Sequence, residues 1–235
     1  MEQGIEIKGV EKASLLDYPD KVCATIFLPG CNFRCGFCHN PDLINSPDKL
    51  PDVPEGQLFS LLSARGKWLD AVCITGGEPT LHPGLPGLIK RVKDKGFLVK
   101  LDTNGTNPRM LEQLLRDKLL DYMAMDIKGP LEKYAEISGA PVDIRKIEQS
   151  IGIIRESGIG YEFRSTVLPR IITESDLRKM GEWLKGSKRF ALQQFKPLHT
   201  LDPEYEKEQP YSRQDMERFK NILQPYFDEV EVRGL

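Results

Sequence analysis

The chain has 235 residues, of which 40% are hydrophobic and 29% charged, with a formal net charge of −2. That suits one soluble domain spanning 1–235, and the near-neutral charge leaves no basic field to collect nucleic acid or anionic lipid. No apolar run approaches the roughly 18 residues of a membrane helix, and the charged opening MEQGIEIKGVEKAS has no apolar signal core, so a cytoplasmic protein without nucleic-acid or membrane partners is expected.

In chain order, a first β-branched run predicts a strand over residues 22–28, followed by a cysteine-rich stretch and a Pro- and Asp-rich segment, 40–54, read as an exposed loop. A second strand is predicted at 71–75, followed by a helix carrying Leu85, Leu88, Ile89 and Val92 on one face. Strands follow at 97–102 and 122–127, then a helix with Ile147, Ile151 and Ile154 aligned. A strand at 161–168 precedes a helix start at Thr173 and Asp176, a pairing of the capping-box kind. A strand at 189–195, an exposed segment at 199–210, a second such start at Ser212 and Asp215, a helix with Met216, Phe219, Leu223 and Tyr226 on one face, and a strand at 229–233 complete the chain. Repeated strand–helix units imply a parallel sheet covered by helices, either a partial (β/α)6 barrel or a doubly wound sheet.

The unusual polar groups fall at or just beyond strand C-terminal ends, the edge where parallel α/β folds build active sites. Cys31-x3-Cys35-x2-Cys38 places three of the five cysteines within eight residues. In a reducing compartment such clusters are metal ligands or catalytic groups more often than disulfides, and thiolates favour zinc or iron–sulfur clusters. Zinc needs a fourth ligand, and His39, adjacent to Cys38, is poorly placed to share one tetrahedral ion with it. Three cysteines on a four-iron cluster instead leave one iron open to a ligand. Cys23 and Cys73, each inside an apolar run, read as small buried hydrophobes.

The string CNFRCGFCHN, with an aromatic before its last cysteine, resembles the signature of the radical S-adenosylmethionine (SAM) superfamily, and the resemblance extends over essentially the whole chain. It implies a partial (β/α)6 TIM-like barrel, a [4Fe–4S] cluster on Cys31, Cys35 and Cys38, and SAM chelating the open iron. Phe37 and His39 flank Cys38 in the stretch that would lie along adenine; His39 could instead only shape the loop. Gly76-Gly77-Glu78-Pro79 matches the family's GGEP motif: glycines allow backbone to approach a ligand, and a carboxylate or carbonyls could accept from the SAM ammonium, against the alternative of a plain turn. Asp102 suits a ribose diol, and the resemblance groups Asn104 beside it with the SAM-binding residues; the alternative is that Asn104-Gly105 is a turn that Asp102 caps. Asp126, Lys128 and Arg164 alternate with apolar neighbours, which suggests a wet interior face. They resemble residues of glycyl-radical activating enzymes in which Lys128 and Arg164 would meet the SAM carboxylate and His199 the sugar or adenine. Structural ion pairs, Asp126–Lys128 or Glu162–Arg164, are the competing explanation.

The opening GVEKASLLDYPDKVCATIFLPGCNFRCGFCHNPDL is most similar to activating proteins of anaerobic ribonucleoside-triphosphate reductases. The resemblance implies an oxidoreductase that takes one electron from a flavodoxin- or ferredoxin-like donor, cleaves SAM reductively, and leaves a glycyl radical on a partner such as the anaerobic ribonucleotide reductase. A pyruvate formate-lyase type of activating enzyme and a radical SAM enzyme with a small-molecule substrate are the alternatives.

Overall fold

The computed structural model describes residues 4–235; the first three residues of the charged opening lie outside the described residues. In chain order the elements are β1 (Gly9–Ser14), β2 (Cys23–Leu28), α1 (Pro41–Asn45), α2 (Glu55–Arg65), β3 (Ala71–Gly76), α3 (Leu85–Lys93), β4 (Leu98–Thr103), α4 (Pro108–Arg116), β5 (Tyr122–Asp126), α5 (Tyr134–Ser138), α6 (Ile144–Glu156), β6 (Gly160–Val167), α7 (Glu174–Leu184), β7 (Ser187–Gln194), α8 (Arg213–Leu223) and β8 (Phe227–Arg233).

The strands form one sheet whose order follows the chain, β1 to β8. β1 runs antiparallel to β2, while β2–β3, β3–β4, β6–β7 and β7–β8 are parallel. A doubly wound sheet reverses its order at a switch point; this one does not, so of the two architectures left open by the sequence the barrel type holds. The seven strands read from the sequence are all present, with ends shifted by one or two residues. β1 was not read because it buries no side chain on either face, and an edge strand without a buried face leaves no period-two signal. The segment at 40–54, expected as a loop, contains α1 and a 3-10 turn at Pro47–Lys49.

By contact density the chain divides into two compact units. Of the described residues, the first comprises 4–31, 42–124 and 146–160. Its core holds Ile26 and Leu28 of β2, Val72 and Ile74 of β3, Val99 and Leu101 of β4, Leu88, Ile89 and Val92 of α3, and Ile147 and Ile154 of α6. Each fully buried aliphatic side chain contributes roughly 1.5–3 kcal/mol. α3 starts with Pro at N2 and ends with Lys90, Arg91 and Lys93, charges that complement the C-terminal end of its dipole. Cys23 and Cys73 join Tyr18, Ala71 and Tyr122 in a separate buried cluster, as the apolar runs around them led one to expect.

The second unit comprises residues 32–41, 125–145 and 161–235. Phe190 of β7 stacks on Phe227 of β8 at 4.8 Å, and Met216, Phe219 and Leu223 of α8 are buried together with Leu177, Met180 and Leu184 of α7. Both expected capping boxes are formed: Thr173 and Asp176 at α7, and Ser212 and Asp215 at α8. Tyr226, read with the α8 face, falls instead in a 3-10 turn, Gln224–Tyr226, after Pro225 interrupts the helix.

Candidate functional site

In the first unit, the ends of β2, β3 and β4 hold their functional residues by backbone. Gly77 N donates to Leu28 O at 2.9 Å and Glu78 N to Gly30 O at 2.8 Å, fastening the glycine turn to the chain just before Cys31. Gly76 has φ +125°, and a side chain on it would overlap the Leu28 backbone; one on Gly77 would overlap the Gly30 carbonyl and press on Cys31 N. The glycines were expected to admit a ligand. What they visibly admit is the backbone leading into the cysteine motif, and the sequence could not show this because it is a contact between segments 46 residues apart. His82 Nε2, 2.8 Å from Pro29 O, must be the protonated nitrogen, since a carbonyl only accepts; it braces the same stretch.

Glu78 is 1% exposed. Its Oε1 accepts from Thr80 N at 3.1 Å, from the Thr80 hydroxyl and from Thr103 Oγ1 at 2.8 Å, and its Oε2 accepts from Asn104 N at 2.6 Å. Burial pushes this carboxyl group up, and the four donors offset part of the rise. The side chain is therefore a tie between the turn after β3 and the turn after β4. Asn104 Oδ1 accepts from Thr106 N at 3.0 Å and Thr106 Oγ1 at 2.7 Å, while Asn104 Nδ2 lies 3.9 Å from Cys31 Sγ.

Asp102 is 9% exposed and pairs with Lys100, which is 1% exposed. Lys100 Nζ also lies 3.8 Å from Cys73 Sγ. Lys100 was not singled out from the sequence; the charge alternation Lys100-x-Asp102 was the available signal. Burial holds the Cys73 thiol well above the usual range and raises that of Cys23 to about 11, so both stay protonated and inert at neutral pH.

In the second unit, Cys35 is buried with its Sγ 3.7 Å from Ser138 O, and Arg34 N donates to the same carbonyl at 2.7 Å. Gly139, left-handed at φ 63°, ends α5 where a side chain would strike the Arg34 carbonyl. Cys38 N donates to Cys35 O at 3.0 Å, and Asn40 N points at Cys38 Sγ at 3.5 Å. The segment after β7, expected only as an exposed loop, clasps this turn: Leu201 N donates to Cys38 O at 3.1 Å and Asp202 N to Gly36 O at 2.9 Å. Tyr205 packs over Gly36, with its ring 6.2 Å from that of Phe37. His39 is exposed; its Nδ1 donates to Leu198 O at 3.1 Å and its ring lies 5.6 Å from Phe195. His199 is exposed with φ 50° on the same segment.

Asp126 accepts from Arg164 Nε at 2.5 Å and from Lys128 Nζ at 3.1 Å, while Ile127 N donates to Arg164 O at 2.8 Å. Burial alone would raise the Asp126 carboxyl, but Arg164 and Lys128 overcome it and hold the group well below the usual carboxylate range. Burial would likewise lower Lys128; Asp126, with Cys35 and Tyr134 nearby, raises it instead. Of the competing ion pairs, Asp126–Lys128 is present, and Glu162, 1% exposed, is bidentate with Arg233 at 2.7 Å on both oxygens. Among the described residues, no three His, Cys, Asp or Glu side chains are gathered to hold a single metal ion.

The profile of the radical SAM superfamily matches residues 25–184. A Methanocaldococcus jannaschii protein, provisionally named a glycyl-radical enzyme activating enzyme, is 34% identical over 234 residues, covering 97% of this chain and 96% of its own. The pyruvate formate-lyase-activating enzyme of Clostridium pasteurianum is 28% identical over 202 residues, 83% of this chain and 82% of that one. Among solved structures, Streptococcus suis SuiB bound to S-adenosylmethionine superposes with a TM-score of 0.66 at 17% identity over 87% of this chain, which spans about half of SuiB (48%). A domain of a pyruvate-formate lyase-activating enzyme from Bacteroides vulgatus gives 0.56 at 19% identity over 70% of this chain and 99% of the domain. The fold is thus the partial TIM-like barrel that the family resemblance implied, the alternation alone having left a doubly wound sheet open.

Proposed function

The chain belongs to the radical SAM superfamily, and from that premise we propose that it is a cytoplasmic activase that installs a glycyl radical on a partner enzyme. The observation that carries this is the likeness, over 97% of the chain, to a protein named as an activating enzyme of that kind. The opening sequence makes an anaerobic ribonucleoside-triphosphate reductase the partner of choice, with a flavodoxin- or ferredoxin-like protein as electron donor. The Clostridium pasteurianum relative favours pyruvate formate-lyase as the second candidate.

The residues present fit an iron–sulfur cluster on Cys31, Cys35 and Cys38, which we assign as [4Fe–4S]. N–H groups of Asn104 and Asn40 point at the sulfurs of Cys31 and Cys38. Donors directed at ligand sulfurs are what a thiolate-held cluster calls for. When bound, the cluster and SAM supply one-electron cleavage of a sulfur–carbon bond, and with it the radical that abstracts hydrogen.

The protein's own part is binding and exclusion of water. The turn at Gly76 and Gly77, held by Gly77 N on Leu28 O and Glu78 N on Gly30 O, is assigned to the SAM ammonium. Lys128 and Arg164 both reach the Asp126 carboxylate, and these two cations are assigned to the carboxylate of the SAM methionine. Asp102, paired with Lys100 at the end of β4, is assigned to the ribose diol. Phe37 and His39 offer an apolar ring and a backbone edge to adenine, and His199 approaches from the segment that clasps them.

The test mixes anaerobically reconstituted protein with SAM, reductant and the anaerobic ribonucleotide reductase of the same cell. A glycyl doublet in electron paramagnetic resonance, lost when the reductase's radical glycine becomes Ala, is expected. If SAM is consumed rapidly with another acceptor while neither the reductase nor pyruvate formate-lyase acquires a radical, the activase assignment fails.

A further inference from the structure

Asn104 makes two kinds of contact that call for different properties of one side chain. Its Oδ1 accepts from the backbone N–H of Thr106 at 3.0 Å and from the Thr106 hydroxyl at 2.7 Å. A backbone N–H can only donate, so this oxygen cannot exchange places with the nitrogen without setting two donors face to face. The orientation of the amide is therefore fixed by Thr106, and Nδ2 is the group that faces Cys31 Sγ, at 3.9 Å. The residue is 5% exposed, so Nδ2 has little water to turn to.

The backbone of Asn104 is held as firmly. Its N–H donates to Glu78 Oε2 at 2.6 Å, and Glu78 is itself fixed by Thr80 and Thr103. On the other side, Gly105 N donates to Thr103 Oγ1 at 3.1 Å, and Ser150 Oγ of α6 donates to Gly105 O at 2.7 Å. A turn that only needed to reverse the chain would use Oδ1 alone, as Asx turns do. The ties on both flanks hold Nδ2 towards a sulfur.

We infer that Asn104 is a positioning residue for the cluster: its side-chain amide donates to the Cys31 thiolate and raises the reduction potential of the iron–sulfur centre, with Glu78 as the strut that aims it. The inference rests on the proposed cluster ligation by Cys31. The physical reason is that an added electron increases negative charge on the cluster and its ligands, and an N–H dipole directed at a ligand sulfur stabilises that charge. This assigns Asn104 to the cluster sulfur, where sequence resemblance had grouped it with SAM.

The experiment is an electron paramagnetic resonance-monitored redox titration of reconstituted full-length protein without SAM, so that SAM binding plays no part. Asn104→Ala is expected to keep its iron and sulfide and to reduce about tenfold less favourably than wild type at a given potential, a shift of about −59 mV for one electron. Asn104→Asp keeps the acceptor for Thr106 but replaces the donor by a carboxylate, and its shift should be larger in the same direction. Where Asn104→Ala loses its cluster, Asn104→Ser, which retains an acceptor for Thr106 N–H, gives the measurement. A cluster-loaded variant with the wild-type potential, or loss of the cluster from all three variants, overturns the inference while leaving the ligand assignment standing. Wild-type protein that takes up no iron and sulfide overturns the ligand assignment and the inference with it.

Discussion

Glu78 illustrates what a single buried carboxylate can hold together. It receives four hydrogen bonds from Thr80, Thr103 and Asn104, and in Glu78→Gln either amide orientation turns an NH2 towards a backbone N–H, of Thr80 or of Asn104. We expect a loss of about 1–3 kcal/mol, read as a lower urea midpoint at unchanged m-value; a midpoint equal to wild type would show that the tie contributes nothing. Asp126 gives a pH dependence. Its folded carboxyl lies below its unfolded value of about 3.9, so its contribution is present above that value and is lost as pH falls through the folded one. Cluster-free wild type should therefore lose more stability between pH 5 and pH 2 than Asp126→Asn, which should start lower at pH 7 because Arg164 and Lys128 are left beside each other. Parallel acid limbs in the two proteins would contradict this.

At the level of elements, the glycine turn after β3 and the caps of the last helices make contrasting claims. Gly77→Ala puts a methyl group into the Gly30 carbonyl, so the backbone before Cys31 must shift; we expect iron and sulfide content to fall sharply after reconstitution. Gly56→Ala, in α2 with open space around it, should be neutral or stabilising by up to about 1 kcal/mol and should load normally. Equal iron content in the two variants would remove the packing explanation. Ser212→Ala breaks the α8 capping box and should cost about 1 kcal/mol, measured by denaturant midpoint, with the cluster unaffected. The segment after β7 was legible only as polar and Pro-containing. That it clasps the cysteine turn through Leu201, Asp202 and Tyr205 depends on backbone hydrogen bonds and ring packing, which carry no periodic trace in a sequence.

For the whole molecule, the cysteines divide cleanly. Cys31→Ala, Cys35→Ala and Cys38→Ala should each abolish both iron–sulfur content and reductive SAM cleavage, whereas Cys23→Ala and Cys73→Ala, which only lose small buried thiols, should retain both; formation of 5′-deoxyadenosine by a Cys35→Ala protein would refute the assignment. Among the described residues no helix is long and apolar enough to cross a membrane. The sequence by itself determined the strand–helix alternation, both capping boxes and the placement of chemistry at strand ends, because hydrophobic period, cap residues and motif spacing are local properties written along the chain. It left open whether the sheet was a barrel type or doubly wound, which the order β1 to β8 decides. Only the tertiary structure decided that Glu78 faces inward, that Gly77 makes room for backbone, that Arg233 takes Glu162 while Arg164 and Lys128 share Asp126, and that Asn104 faces Cys31. Apart from Lys128, which lies two residues from Asp126, each of these is a choice of partner between segments 26 to 73 residues apart, and such choices are set by packing and burial, which no spacing along the chain encodes.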